Sequence, residues 1–164
     1  MNRREWLLMG LAAGIVARSA DVQAASRDAA LTQASDFPSD AAGTKSPSRL
    51  VVVLFSLPDC PYCDAIRREQ LVPLPHDSRW TDRLVVREVS IIGSHPLVAF
   101  DGSQTTESKF AKGAAARFSP TVAFFSQKGA QLVPAIVGAR LPDFYGAYLD
   151  EAIETSLSKI GSGS

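Results

Sequence analysis

One stretch decides the fold: residues Leu50–Cys63, which read LVVVLFSLPDCPYC. Its first six residues form a continuous apolar run rich in β-branched side chains, which is typical of a strand covered on both faces of a sheet. The residues that follow carry helix-start signals, because Asp59 is a candidate N-cap and Pro61 suits a first turn. The stretch therefore predicts a buried strand that leads into a helix, with Cys60 and Cys63 at the start of that helix.

The rest of the chain predicts further strands and helices around this unit. They are a strand at Leu84–Ile92, a loop at Gly93–Gln104, a helix at Thr105–Arg117, strands at Thr121–Phe125 and Leu132–Val137, and a helix at Pro142–Lys159. The short connection between the last two strands indicates an antiparallel hairpin, with Pro134 at an edge or a bulge. In the last helix, the side chains expected to face the core are Phe144, Tyr148, Leu149, Ile153 and Leu157. This order predicts an α/β fold, a four-stranded mixed sheet with helices on both faces.

Composition narrows the class of protein. The 164-residue chain carries 17 basic and 17 acidic residues, so its formal net charge is zero, which argues against a nucleic-acid partner. An apolar content of 46% and a mean hydropathy near zero exclude a disordered chain and a polytopic membrane protein. Two cysteines are too few for a disulfide scaffold or a four-cysteine zinc site.

The N-terminal residues 1–24 are interpreted as an export signal. Their apolar run, Trp6–Ala17, would cover only about 18 Å as a helix, whereas a bilayer core is about 30 Å thick. Arg3 and Arg4 resemble the twin-arginine export motif, and Val22–Ala24 suits a cleavage site. We therefore expect export to the periplasm and no stable membrane insertion.

The remaining chain divides into a linker, a domain and a tail. Residues 25–48 are rich in small and polar residues, with Phe37 as their only aromatic residue, so we expect a flexible linker. Residues 49–160 hold the predicted strands and helices and form the globular domain. Residues 161–164 read GSGS, and we expect a disordered tail.

The two cysteines predict redox chemistry. A disulfide across so short a loop constrains the unfolded chain by only about 2 kcal/mol, so a purely structural role is a poor explanation. Unpaired N–H groups and the dipole at a helix start favour a thiolate over a thiol. Cys60, at the exposed end, is the expected nucleophile, and Cys63 is the expected resolving thiol.

Three segments carry a resemblance to a known family. The segment Phe55–Cys63 resembles the active-site segment of the thioredoxin superfamily, and its CPYC tetrad is similar to that of glutaredoxins. The segment Phe118–Val122 resembles the X-Pro-Thr loop of the same superfamily, and Val137–Ala139 matches its groove glycine. The resemblance implies a thioredoxin fold across about residues 49–157.

The resemblance also implies roles for individual residues. It implies that the Ser119–Pro120 bond is cis, that the backbone of Ser119 pairs with a substrate peptide, and that Pro120 blocks metal capture by the thiols. The substrate-binding residues implied in this way are Pro61, Tyr62, Ser119, Pro120, Thr121 and Gly138.

Within the superfamily, the chain looks most similar to exported thioredoxin-like proteins associated with bacterial sulfur-oxidation (Sox) systems. The run Asp143–Leu149 and the insertion around Asp101–Gly102 suggest this group. Two departures concern the site. Leu54 replaces the buried acid that thioredoxins carry on the strand before the motif, and Leu57–Pro58 replaces their tryptophan. Glu88 is a candidate substitute for the acid, although a solvated charge at a strand end is the simpler interpretation.

The sequence thus predicts a periplasmic thiol–disulfide oxidoreductase that acts as a monomer without a cofactor or a metal. Its expected partners are a disulfide-containing periplasmic protein, which it reduces or reactivates, and an upstream electron donor. One alternative is a glutathione-linked, glutaredoxin-like reductase, which the tetrad suggests. Another is a non-catalytic metal carrier or interaction module on a thioredoxin scaffold.

Overall fold

The fold is built around one four-stranded sheet, as seen in a computed structural model that describes residues 30–42, 49–139 and 142–162. The strands are β1 (Leu50–Ser56), β2 (Leu84–Ser90), β3 (Pro96–Val98), β4 (Gln104–Thr106), β5 (Thr121–Phe125) and β6 (Ile136–Val137). The helices are α1 (Phe37–Ala42), α2 (Pro61–Ile66), α3 (Glu107–Gly113) and α4 (Pro142–Ser162). A π-helical turn, Arg67–Leu71, continues α2, and a 3-10 turn lies at Leu74–His76. The predicted signal peptide, residues 1–24, lies outside the described residues.

The sheet has the strand order β2-β1-β5-β6 and mixes parallel and antiparallel pairs. β1 runs parallel to β2 and antiparallel to β5, and β5 runs antiparallel to β6. All seven residues of β1 are buried, because the strand is central and both faces of the sheet are covered. The predicted four-stranded mixed sheet is confirmed.

Two apolar cores lie on opposite faces of the sheet. Val52 and Leu54 of β1 point into a core formed with α2 and α4, whereas Val51 and Val53 point into a core formed with α1 and α3. Because alternate residues of a strand face opposite sides, one run of valines and leucines serves both cores. Helices therefore lie on both faces, and the predicted α/β class is confirmed.

The inward face of α4 differs from the prediction at two positions. Leu149, Ile153 and Leu157 are buried as predicted, but the fourth large core residue of the helix is Tyr145. Phe144 and Tyr148 are 60% and 49% exposed. At 100° per residue, Phe144 is rotated by about 140° from Leu149, so the two side chains cannot share one face.

The two ends of the predicted domain also need correction. α4 continues to Ser162, so the prediction of a disordered tail is wrong for Gly161 and Ser162, while residues 163–164 lie outside the described residues. The linker prediction is wrong for residues 30–42. Phe37 of α1 is fully buried, and its ring stacks on that of Phe100 with the centroids 4.5 Å apart.

The segment before α1 is bound to the sheet through its backbone. The amide of Glu88 donates to the carbonyl of Thr32 at 3.0 Å, and the amide of Ala34 donates to the carbonyl of Glu88 at 2.9 Å. The Asp36 carboxylate accepts from the amide of Ser39 at 2.9 Å, which caps α1. A segment this short shows no periodicity, so only Asp36 before the buried Phe37 could have signalled the helix.

β3 and the first residue of β4 lie within the predicted loop Gly93–Gln104, and the two strands form a short antiparallel hairpin. The expected turn at Asp101–Gly102 is present, because the amide of Gly102 donates to the carbonyl of Ala99 at 2.9 Å and Gly102 has a φ of +82°. Strands of three residues are too short to show alternation, which explains the error. The predicted helix Thr105–Arg117 is correspondingly shorter, since Thr105 and Thr106 belong to β4.

β6 is shorter than the predicted strand Leu132–Val137. The amide of Leu132 still donates to the carbonyl of Phe124 at 2.9 Å, but regular pairing with β5 resumes only at Ile136. Pro134 lies in the interruption, on the edge strand of the sheet, as expected for a residue without an amide hydrogen. In the described part of the chain, no helix combines the length and the apolar character needed to span a membrane.

Candidate active site

The cysteine pair lies at the junction between β1 and α2. Cys60 is the N-cap of α2, and its sulfur accepts a hydrogen bond from the amide of Cys63 at 3.2 Å. Asp59, the predicted N-cap, instead has a φ of +54° in the turn before the helix. Cys60 and Cys63 are joined by a disulfide, with their Cα atoms 5.2 Å apart. The structure therefore places both sulfur atoms together, at the start of the helix, as predicted.

The two cysteines differ in exposure. Cys63 is fully buried, whereas Cys60 is partly exposed. A partner therefore reaches Cys60 more readily than Cys63, which is the order that a nucleophile and a resolving thiol require.

The loop before β5 lies against the disulfide. The Ser119–Pro120 peptide bond is cis, as the resemblance implied. The Ser119 hydroxyl oxygen lies 2.8 Å from the sulfur of Cys63 and 3.6 Å from that of Cys60. The structure thus brings the predicted loop residues and both cysteines into one site.

Two hydrogen bonds hold this loop in place. The Thr121 hydroxyl donates to the carbonyl of Phe118 at 2.8 Å, and the amide of Gly138 donates to the carbonyl of Pro120 at 2.8 Å. Gly138 has a φ of +79°, a conformation that side-chain-bearing residues rarely adopt. Thr121 and Gly138, both predicted to bind substrate, therefore hold the loop that carries Ser119.

Exposed apolar side chains lie on three segments of the site, namely the start of α2, the Ser119 loop and β6. Tyr62, between the two cysteines, is 67% exposed, and Phe118, next to Ser119, is 69% exposed. Val137 of β6 pairs with Thr121 and is 51% exposed. We call Tyr62, Phe118 and Val137 the apolar rim. Of these three residues, only Tyr62 was predicted to bind substrate, although an aromatic residue next to Ser119–Pro120 was an available signal for Phe118.

A buried carboxylate lies beneath α2. Glu88 stands opposite Leu54 in the register of β1 and β2 and is 5% exposed, so its interpretation as a solvated charge is wrong. The Arg67 guanidinium donates to its two oxygens at 2.9 and 2.6 Å, and the Ser56 hydroxyl donates at 2.5 Å. The hydrogen bond to Glu88 is the main reason that the pKa of Arg67 is raised, and Asp64 contributes as well.

Replacing Glu88 with glutamine should destabilise the protein by about 2 kcal/mol, because the partly buried guanidinium of Arg67 would lose its main charged partner. The expected result is a lower midpoint in urea unfolding with an unchanged slope. Glu154→Gln, on the exposed face of α4, is the matched control. Equal midpoints for the two variants would contradict a stabilising role for the Arg67–Glu88 pair.

The two histidines belong to other parts of the molecule. The Nδ1 atom of His95 lies 3.3 Å from an oxygen of the buried Glu107, and His76 lines a surface cavity beside β2. Within residues 30–42, 49–139 and 142–162, no group of three histidine, cysteine or acidic side chains could hold a metal ion.

Comparison with known proteins identifies the family. A model of the thioredoxin-like domain matches residues 37–153 of the chain. The chain belongs to the thioredoxin-like family. Members of this family with a C-x-x-C pair are thiol–disulfide oxidoreductases, and the Cys60–Cys63 pair makes this chain one of them. Thioredoxin-like proteins act on disulfide substrates.

Several solved structures of thioredoxin-like proteins are similar to this chain. A DsbH oxidoreductase is 14% identical and matches 87% of this chain and 95% of its own, with a TM-score of 0.51. A thioredoxin from Thermus thermophilus is 22% identical over 82% of this chain and 95% of its own, with a TM-score of 0.49. The periplasmic thioredoxin SoxS from Paracoccus pantotrophus is 17% identical over 66% of this chain and 99% of its own, with a TM-score of 0.46. No curated protein matches the sequence. Membership of the Sox-associated group stays a prediction.

Proposed function

We propose that this thioredoxin-like protein is exported to the periplasm and reduces or reactivates a disulfide of a partner protein there. Cys60 is the nucleophile, Cys63 is the resolving thiol, and an upstream electron donor returns the pair to the dithiol. The observation that carries the proposal is the unequal exposure of two bonded cysteines beside the cis Ser119–Pro120 loop.

The exchange proceeds in two balanced steps. In the reduced protein, the Cys60 thiolate attacks one sulfur of the partner's disulfide, and the partner's other sulfur leaves as a thiolate that takes up a proton. Cys63 then loses its proton and attacks the Cys60 sulfur, so that the partner's first sulfur leaves and is protonated in turn. The protein dithiol is oxidised to the disulfide, and the partner's disulfide is reduced to a dithiol.

The surface around the disulfide supports a protein substrate. An extended peptide can pair with the backbone of Ser119 while its apolar side chains contact the apolar rim. Pro61, Tyr62 and Pro120 line the approach to Cys60 in this proposal. The proposal includes that the protein acts as a monomer and that electrons pass from its cysteine pair to the partner's disulfide.

Export rests on the sequence of residues 1–24. Their paired arginines, apolar run and small residues before position 25 are the features of a cleaved signal. Fractionation of a bacterial host that expresses the full-length chain tests this part directly, because the cleaved chain should accumulate in the periplasm. Accumulation of an uncleaved chain in the cytoplasm would contradict it.

A trapping experiment tests the redox function. In Cys63→Ser, expressed as the full chain, the second step cannot occur, so a mixed disulfide between Cys60 and its partner accumulates. Non-reducing gels and mass spectrometry should show a protein partner that is released by dithiothreitol. Cys60→Ser combined with Cys63→Ser is the control, because it keeps the same surface and cannot form the bond.

The same experiment separates the alternatives. Glutathione as the only adduct on Cys60 would favour the glutaredoxin-like reductase, which the CPYC tetrad supports. Stoichiometric metal in the unmodified protein, with no adduct in the trapping variant, would favour a metal carrier. The absence of both an adduct and a metal would leave the interaction module and overturn the proposal.

A further inference from the structure

The side chain of Ser119 contacts both sulfur atoms. Its hydroxyl oxygen lies 2.8 Å from the sulfur of Cys63 and 3.6 Å from the sulfur of Cys60. The resemblance assigned a role only to the backbone of this residue, and alanine would serve that role equally well. The hydroxyl group is therefore an additional feature of the site.

The surroundings of Ser119 keep the hydroxyl in this position. Pro120 is buried, and hydrogen bonds from the amide of Gly138 and the hydroxyl of Thr121 hold the loop on both sides of Ser119. Ser119 is itself only partly exposed. Its hydroxyl is thus held against the disulfide by the fold.

A hydroxyl group both donates and accepts hydrogen bonds. When the disulfide is reduced, the same oxygen can accept from the Cys63 thiol and donate to the Cys60 thiolate. The amide of Cys63 already donates to the Cys60 sulfur at 3.2 Å. The Cys60 thiolate would then have two donors, one from the backbone and one from a side chain.

We propose that Ser119 is a catalytic residue of the exchange reaction, whose hydroxyl stabilises the Cys60 thiolate and orients the Cys63 thiol. The inference rests on the proposed function of the same site. No bond to Ser119 forms or breaks. The electron pair of Cys60 goes to the partner's sulfur, and the proton of Cys63 passes to solvent when its thiolate attacks.

The direction in which the hydroxyl shifts the pKa of Cys60 depends on whether it stabilises the thiol or the thiolate. A donor to the thiolate favours the ionised form, so it lowers the pKa of Cys60. Removing the hydroxyl should raise that pKa by about one unit, because hydrogen bonds to charged groups are the stronger kind. At a pH below the pKa, about tenfold less thiolate then remains. Exchange slows by less than tenfold, because the more basic thiolate is the better nucleophile.

The test compares Ser119→Ala with Ser119→Thr, which keeps a hydroxyl group. Each full-length variant is reduced, and the rate at which iodoacetamide alkylates Cys60 is followed against pH by mass spectrometry. Ser119→Ala should shift the profile to higher pH by about one unit and slow the reaction near pH 6. At alkaline pH, where every thiol is ionised, the variant should react at least as fast as the unmodified protein. Ser119→Thr should follow the unmodified protein.

Two results would overturn the inference. One is an unchanged pKa in Ser119→Ala. The other is a rate that falls equally at every pH, which would show that the substitution only disturbs the loop. The alkylation measurement needs no protein partner, so it can be interpreted even if trapping with Cys63→Ser fails. Conversely, an unchanged pKa in Ser119→Ala would not affect the conclusion from the trapping experiment.

A second readout comes from equilibrium with glutathione. Because the hydroxyl stabilises the reduced form, Ser119→Ala should favour the disulfide by up to about tenfold, which corresponds to a potential about 30 mV more negative. An unchanged equilibrium constant together with an unchanged pKa would exclude any role for the hydroxyl in the chemistry.

Discussion

Cys60→Ser should lower by more than about a thousandfold the catalysis of insulin reduction by dithiothreitol that we expect of the native chain, because a serine hydroxyl is not ionised at neutral pH and cannot attack a disulfide. Cys63→Ser should also lose turnover, but it should still consume one equivalent of a disulfide and hold it as a mixed disulfide on Cys60. Precipitation of the reduced insulin measures turnover, and mass spectrometry of the protein measures the adduct.

The two serine variants serve as controls for one another. Each replaces one sulfur with oxygen and both remove the disulfide, and circular dichroism would reveal a loss of folding in either variant. A stable adduct on Cys63 in Cys60→Ser, with none on Cys60 in Cys63→Ser, would reverse the two roles. It would also contradict the inference from exposure, since Cys63 is fully buried.

Phe37→Ala should lower the free energy of unfolding by about 3–4 kcal/mol, as expected for truncating a fully buried phenylalanine. The ring of Phe37 lies 4.5 Å from that of Phe100 and 4.6 Å from that of Phe110, so its loss leaves a cavity between α1 and the sheet. Urea unfolding, followed by circular dichroism, gives the midpoint and the slope.

The matched control is Phe144→Ala, the same substitution at a position that is 60% exposed on α4. Its effect should stay within about 0.5 kcal/mol. Similar small effects for both variants would show that residues 30–42 are the flexible linker that their composition suggested. A large difference would show that the domain begins before residue 49.

The sequence predicted the features that depend on local patterns. The apolar run of β1 required a strand covered on both sides, and Pro61 and the cysteines marked the start of α2. The cis bond at Pro120 was predicted from family resemblance, because no local pattern distinguishes it from the other prolines. These features suffice to bring the two sulfur atoms and the loop together.

The missed features depend on contacts between distant segments. Arg67 and Glu88 pair across a helix and a strand. The apolar strand around Glu88 signals a buried position, but nothing in the sequence identifies Arg67 as the partner of its carboxylate. Phe37 is surrounded in sequence by small and polar residues, so its burial becomes visible only with Phe100 and Phe110 in place. The contact of the Ser119 hydroxyl with sulfur likewise depends on how two loops meet.

The outer side of β2 has a consequence for how copies of this protein meet. Four backbone groups on that side are already hydrogen-bonded. The amide and carbonyl of Glu88 bond to Thr32 and Ala34, the Glu107 carboxylate accepts from the amide of Ser90 at 3.1 Å, and the Arg87 guanidinium donates to the carbonyl of Val86 at 2.9 Å. At the opposite side, β6 is two residues long and follows Pro134. An exposed row of unpaired backbone groups is what allows sheets of separate molecules to join into aggregates. Within the described residues, this sheet offers no long row of that kind, so neither edge is a good template for pairing with the sheet of a second copy.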